Sequence, residues 1–172
     1  MSFTFYRATA PVYQHMLDAM AHFVGKGVEF AKEREMSDEA FLGARLYPDM
    51  LPLINQIRIA TDHAKGGLGR AAGVELPVFE DTETTIAEAV ARIDKGRAFL
   101  KTLTPEQFEG AEDRRITHTL MGNPVEFSAP AFVLHFSMPN FYFHVVTAYD
   151  ILRGMGVKLG KIDFFGAQLI QE

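Results

Sequence analysis

The stretch TFYRATAPVYQHMLDAMAHFVGKGVEFAK at residues 4–32 decides the fold class of this chain. Its apolar residues recur every three or four positions, as Met16, Met20 and Phe23 do, which is the spacing of one face of an α-helix. The pattern therefore predicts a long amphipathic helix whose wide apolar stripe must be covered by other elements. Pro11 lies inside the pattern, and we expect it to delay the regular start of the helix or to kink it.

Two later segments show the same helical periodicity. The second predicted helix opens at Pro48 and is closed by Gly73, since glycine favours a helix C-terminus. The last predicted helix begins near Ser128 and ends at Gly154. Because a proline has no backbone N–H, this helix either kinks at Pro139 or breaks there, with a fresh helix beginning at that residue.

A third helix and a change of periodicity lie between these two segments. The third helix is predicted over residues 81–103, with Thr82 or Thr84 as its N-cap. Apolar and polar residues then alternate over residues 116–127, with Gly122-Asn123 as a tight-turn dipeptide. Alternation on both sides of such a dipeptide predicts a β-hairpin. The chain is therefore predicted to be an all-α, antiparallel four-helix bundle with a short β-hairpin inserted before the last long helix.

Composition narrows the class of protein further. The chain has 172 residues, of which 48% are hydrophobic, so we expect one domain over residues 1–172. A net charge of −5 without a basic cluster makes nucleic acid an unexpected partner, and no apolar run is long enough to make a membrane one. No cysteine is present, which excludes disulfides and thiolate metal sites. The N-terminus does not resemble a signal peptide, so we expect a cytoplasmic protein.

Two polar residues stand out in the last helix. Asn140 and His144 are four residues apart, so they share one helix face in an otherwise apolar and aromatic segment. A buried polar group without a partner costs about 1–3 kcal/mol. The pair is therefore either a hydrogen-bonded pair that fixes helix register or part of a metal or substrate site. His63, at the flank of the second helix, is the partner we expect across the bundle, and Gly66 and Gly67 leave room beside it.

The other histidines are weaker candidates for this site. His15 and His22 are seven residues apart on one face of the first helix and would contribute if that face looks inward. His118 lies in the hairpin and is expected to be exposed. His135 and His144 diverge on an unbroken helix, because nine residues make about two and a half turns and so leave the two side chains about 180° apart.

Several charged or hydroxyl side chains could assist chemistry at the same place. Asp62 and Tyr142 are the nearest acid or base candidates, although Asp62 is rotated by about 100° from His63 on the same helix. Arg70 and Arg153 are the candidates for pairing with a carboxylate or phosphate of a substrate. Surface ion pairs are the alternative role of both arginines.

Five sequence segments, spread over nearly the whole chain, carry a family resemblance: RLYPDM (45–50), ATDHAK (60–65), PNFYFH (139–144), AYDILR (148–153) and GKIDFFG (160–166). In them the chain resembles an uncharacterised bacterial family within the DinB/YfiT-like superfamily of four-helix bundles. The resemblance implies a divalent metal, zinc or nickel, held by three histidines in many superfamily members. His63 matches the first ligand, His144 the last, and Asn140 occupies the middle position. Since an amide is a weaker ligand than imidazole, the site has a third ligand elsewhere, binds metal loosely, or has lost it.

Three functions are compatible with these residues. The first is a metalloenzyme, a metal-dependent transferase, isomerase or hydrolase, in which a bound metal activates water or a thiol. The second is a module in which His63, Asn140 and His144 bind a small molecule without turning it over. The third is a structural homodimer whose polar residues only specify packing.

The first testable prediction concerns assembly. The resemblance and an aromatic surplus in the last helix predict a homodimer, and the surplus residues are Phe132, Phe136, Phe141, Tyr142, Phe143 and Tyr149. Sedimentation at micromolar concentration is expected to show twice the 19.2 kDa chain mass. A single species of the monomer mass would contradict the prediction.

Overall fold

The first helix has the bounds that its periodicity predicts. A computed structural model describes residues 3–166, so residues 1–2 and 167–172 of the predicted domain lie outside the described part. Helix α1 spans Phe5–Glu33, and the Thr4 hydroxyl caps it by accepting a hydrogen bond from the N–H of Arg7. Because the helix begins six residues ahead of Pro11, the expectation that this proline delays its start is wrong.

The second long helix starts later than predicted. A short helix, α2 (Asp38–Leu42), precedes α3 (Leu53–Ala72), and Pro52 occupies the N-cap position. The predicted start at Pro48 is therefore wrong. Residues 47–50 form a turn, in which the N–H of Met50 donates to the carbonyl of Tyr47 at 3.0 Å. Helical dihedrals are disfavoured at Leu51 because it precedes a proline, so the helix begins only after Pro52. At the other end Gly73 adopts a left-handed conformation with φ of 69°, so the predicted terminator is confirmed.

The third long helix is shorter than predicted at both ends. Helix α4 spans Ile86–Lys101, and Thr85 forms a capping box with Glu88. The predicted start near residue 81 and the predicted threonine caps at 82 and 84 are therefore wrong. A capping box satisfies two backbone N–H groups reciprocally, and only Thr85 has a glutamate three residues later. Two 3-10 turns, Pro105–Phe108 and Ala111–Asp113, follow the helix.

The β-hairpin is confirmed with a small shift. Strands β1 (Arg115–Leu120) and β2 (Asn123–Ser128) pair in antiparallel register. Met121 and Gly122 form the turn, with φ of 49° and 81°. Two consecutive positive φ values are characteristic of a type I′ turn, whose twist suits a hairpin. The turn therefore lies one residue earlier than the predicted Gly122-Asn123 dipeptide.

A widened turn interrupts the last long helix. Ser128 caps helix α5 (Ala129–Ala131), which continues through a π-helical turn, Phe132–Ser137, into α6 (Met138–Met155). The start near Ser128 is confirmed, whereas the helix neither begins anew at Pro139 nor stays regular before it. Pro139 has no N–H for the carbonyl of His135, so the regular hydrogen-bond ladder cannot continue there. Helix α7 (Lys161–Phe165) ends the described chain.

The four long helices enclose one apolar core. Helix α3 packs against α4 and α6, and α1 packs against α4, α6 and the C-terminal α7. The fully buried large side chains at the centre are Tyr13, Phe23, Phe41, Phe132, Phe141, Leu17 and Met20. The predicted four-helix bundle with an inserted hairpin is confirmed. None of the described helices combines the length and the apolar character needed to cross a bilayer.

One close crossing fixes α3 against the π-helical turn. The Ser137 hydroxyl donates to the backbone carbonyl of His63 at 2.8 Å and accepts from the Tyr13 hydroxyl at 3.0 Å. A Cβ atom built on Gly67 would lie 2.2 Å from Ser137 Oγ. The space that glycine leaves on α3 is thus filled by a serine and not by a ligand.

The second testable prediction is that Gly67→Ala destabilises the protein. The methyl group would overlap Ser137, and overpacking of this kind costs about 1–3 kcal/mol. Chemical denaturation measures the loss, and the added change Ser137→Ala is expected to restore part of it by removing the hydroxyl. Gly25→Ala in α1 is the control, because nothing lies within 4 Å of its Cβ; it should stabilise by about 0.5–1 kcal/mol. Equal effects of the two glycine changes would contradict the argument.

Candidate functional site

The two predicted histidines meet across the bundle. His63 on α3 and His144 on α6 place their rings nearly parallel, at 11°, with centroids 6.4 Å apart. His144 is buried, with 8% of its surface exposed, and His63 is partly buried. The expectation that the imidazoles approach each other is confirmed. Their role as metal ligands stays a prediction.

Hydrogen bonds determine which nitrogen of His144 carries its proton. Gln56 on α3 donates from Nε2 to the carbonyl of Leu51 at 2.8 Å, so its Oε1 faces His144. That oxygen lies 2.7 Å from His144 Nδ1. Because an amide oxygen only accepts, Nδ1 must donate, and the Nε2 lone pair of the neutral ring stays available. The sequence analysis missed Gln56, although it is a polar residue on the apolar stripe of α3, seven residues before His63.

Both imidazoles are neutral near pH 7. Burial, together with the smaller electrostatic effects of His144, His118 and Arg70, lowers the pKa of His63 to about 4 against the opposing effect of Asp62. Burial also lowers the pKa of His144. A neutral imidazole offers one donor and one acceptor and is the form that ligates metals.

The middle predicted ligand is engaged elsewhere. Asn140 donates from Nδ2 to the carbonyl of Phe136 at 2.7 Å and makes no hydrogen bond to either imidazole within residues 3–166. Nor do those residues hold a group of three or more histidines and carboxylates suited to a metal ion. Two imidazoles and one amide do not fit a tightly held zinc or nickel ion, which takes three or four strong ligands.

A cavity of about 520 Å³ lies beside His63. Helix α3 supplies one wall, through Ile59, Asp62, His63, Gly66, Gly67 and Arg70, among others, a set with the spacing of a single helix face. The hairpin supplies His118, and the π-helical turn supplies Phe132 and Phe136. The segment 74–85, between α3 and α4, contributes four lining residues, Leu76 to Phe79, and the cavity stays open to solvent.

The position of this cavity corrects part of the prediction. Of the three predicted site residues His63 lines it, whereas Asn140 and His144 do not. The cavity therefore lies on the outer side of His63 rather than between the histidines. Gly66 and Gly67 contribute backbone to the wall as expected, but the Arg70 guanidinium, 2.5 Å from a built Cβ, fills the side-chain space at Gly66.

Buried charges hold the 74–85 segment in place. Arg92 of α4 is 1% exposed and lies 3.0 to 3.1 Å from carboxylates of Asp62, Asp81 and Glu83. Arg58 of α3 also pairs with Glu83, at 2.7 Å. An arginine in the apolar stripe of α4 was the sequence signal for this cluster. The cluster around Arg92 was not expected, because Asp81 and Glu83 lie at the start of the helix predicted over residues 81–103.

The other candidate histidines lie in two different parts of the molecule. His118 is partly buried, in ring contact with Phe132 and Phe136, so the expectation that it is exposed is wrong. His15 and His22 face α7 instead of the site; a Cβ on Gly166 would lie 3.6 Å from the ring of His15, and His22 lies 3.0 Å from Asp163.

His135, Tyr142 and two arginines were also candidates for the site. His135 lies in the π-helical turn and is exposed, whereas His144 is buried. Tyr142 makes no hydrogen bond to the histidines within the described chain, and its contact is with Phe141. Arg153 is exposed on α6, whereas Arg70 reaches the cavity.

Comparisons with known proteins agree with this architecture. The family described as "Domain of unknown function (DUF1993)" matches residues 5–165. The chain belongs to that family. It is also similar to the crystal structure of a DinB family member from Shewanella denitrificans, with 33% identity and a TM-score of 0.85 over 94% of this chain and 92% of that one. The helical DinB-like fold is therefore shown, and no curated protein matches this DUF1993 chain.

The third testable prediction follows from the depressed pKa of His63. The His63 imidazole has a pKa near 6.5 in the unfolded state and about 4 in the native state, so between these pH values only the unfolded state binds the proton. Stability from this group is thus complete above pH 6.5 and is lost as the pH falls toward 4. Urea unfolding between pH 7.5 and 4.5 should show a shallower pH slope for His63→Gln than for the native protein. His135→Gln, at an exposed position, should keep the native slope; equal slopes for both variants would contradict the prediction.

Proposed function

We propose that this protein binds a small molecule in the cavity beside His63. The observation that carries the proposal is the cavity itself, whose volume of about 520 Å³ lies within the range of small-molecule sites, about 300–1,000 Å³. Its walls combine apolar and aromatic side chains with a few polar groups, which is the usual composition of such sites. We place this role in the cytoplasm and in a homodimer, as the sequence analysis expects.

Neutral imidazoles provide the specific contacts of the proposed site. His63 and His118 line the cavity, and their lowered pKa values, caused first by burial, keep both uncharged near pH 7. Each can donate to or accept from a ligand without the cost of burying a charge. Phe132 and Phe136 offer faces or edges against which an apolar ring can pack.

A metal site at His63, Asn140 and His144 is the second candidate, serving a metal-dependent transferase or hydrolase. The available Nε2 lone pair of His144 favours it, because a metal-bound histidine usually donates its other nitrogen to an oxygen, as Nδ1 does to Gln56. The amide at position 140 argues against tight binding. Zinc, nickel and manganese content of protein purified without an affinity tag discriminates the candidates. One tightly held ion per chain would favour the metal site over the metal-independent proposal.

The fourth testable prediction is that filling the cavity blocks binding. Ile59 lines the cavity on α3, so Ile59→Phe should reduce its volume and weaken the binding of small aromatic probes by about tenfold or more. Benzamide, benzoate and phenyl phosphate are suitable probes, followed by chemical-shift changes of the cavity residues.

The matched control is Ile54→Phe, at a partly buried position of α3 outside the cavity wall. It should bind the probes as the native protein does. Absence of binding by every probe, or equal binding to the native protein and the Ile59 variant, would overturn the proposal.

A further inference from the structure

Arg70 is a charged group of the cavity wall that forms no ion pair with another described residue. Its side chain is partly buried, and its hydrogen bond runs from Nη1 to the carbonyl of Gly66, one turn back on its own helix, at 3.0 Å. The guanidinium also lies 5.9 Å from the centroid of the Phe132 ring. Within residues 3–166 no carboxylate forms an ion pair with it. Most of the five guanidinium N–H donors therefore have no acceptor in the described chain.

The other charges of the cavity wall are neutralised. Lys65 and Asp62 pair at 3.0 Å, and Asp62 also lies 3.1 Å from Arg92. Asp62 precedes Arg70 by eight residues, which is about 12 Å along a helix. At one end of the wall the carboxylate of Asp62 is thus paired with cations, and at the other end the guanidinium of Arg70 has no ion pair among the described residues. Burying a cation without a partner is unfavourable, and burial accordingly lowers the pKa of Arg70.

We propose that Arg70 binds the oxygen atoms of an anionic group, so that the ligand of this cavity carries a carboxylate or a phosphate next to an apolar body. This inference rests on the proposed function, since it names the chemical class of ligand for the same cavity. The planar guanidinium binds two oxygens of either group at once, through charge-assisted hydrogen bonds. An anion at this place supplies the counter-ion that Arg70 lacks.

The surroundings of Arg70 suit such a ligand. His118 and Phe132 line the same part of the cavity, and their rings are 5.3 Å apart. The imidazole offers a neutral hydrogen bond beside the anion, and the phenyl ring offers apolar surface for the rest of the ligand. Asp62 repels the anion weakly, because it is distant along α3 and already paired.

Three matched probes test the inference on the full chain. Benzoate and phenyl phosphate carry the two candidate anions, and benzamide is a neutral molecule of nearly the same shape as benzoate. NMR titration of the native protein is expected to show benzoate binding at least about tenfold tighter than benzamide, since hydrogen bonds to charged groups are the stronger ones. The tighter of the two anions identifies the preferred class, carboxylate or phosphate.

Variants assign that preference to Arg70. Arg70→Gln should weaken the binding of both anions by about tenfold or more and leave the binding of benzamide within about twofold of that of the native protein. Arg70→Lys keeps the charge but loses the planar fork, so its affinity for the anions should fall between those of the native protein and Arg70→Gln. Arg153→Gln, an exposed arginine on α6, is the matched control and should change nothing. The comparison of benzoate with benzamide in the native protein needs no variant, so it tests whether the cavity prefers an anionic ligand even if a variant fails to fold.

The outcomes separate the two proposals. Equal binding of benzoate and benzamide to the native protein would overturn the anionic class and support the cavity as a neutral site. Unchanged anion binding by Arg70→Gln would overturn the role of Arg70. Failure of all three probes to bind would overturn the proposed function itself.

Discussion

The arrangement of the site depends on the hydrogen bond from Ser137 to the backbone carbonyl of His63. This bond joins the π-helical turn directly to α3, and only a glycine at position 67 allows the two backbones to come this close. A π-helical turn contains an extra residue, and each residue rotates a helix by about 100°. The widened turn therefore sets which face of α6 is directed at α3. Without it, His144 would be rotated away from His63 and Gln56.

Two sets of buried polar side chains in this bundle form short hydrogen-bonded chains that end on backbone carbonyls. His144 is held by Gln56, whose amide is held by the carbonyl of Leu51 in the loop before α3. Tyr13 is held by Ser137, which ends on the carbonyl of His63. The members of both chains are neutral, so the imidazole of His144 is oriented by its hydrogen bond with Gln56 rather than by a charge pair.

Residue spacing and turn chemistry were sufficient to predict the elements whose structure depends mainly on residues close in sequence. The first helix, the hairpin and the start near Ser128 all follow from residue spacing and turn chemistry. The approach of His63 to His144 follows instead from the way the helices of an antiparallel bundle present their inner faces to one another. The start of α3 was predicted five residues early because the effect of Pro52 on its neighbour was not weighed. The cavity lies beside Gly66 and Gly67, where room was expected, but its outer wall was not predictable, because that wall is the 74–85 segment. Its position depends on the burial of Arg92 among carboxylates that are distant in sequence.

The hairpin gives the cavity a wall with properties unlike those of the helices. It has two strands, so each strand has one unpaired edge, and an isolated two-stranded sheet is marginally stable in water. Packing of Phe127 and His118 on Phe132 and Phe136 supplies its support. Separation of this wall would break these ring contacts and expose Ile116 of β1, which belongs to the apolar core. Because Ile116 is the one buried apolar residue of the hairpin (residues 115–128), local opening of this wall is expected to require less free energy than global unfolding of the bundle.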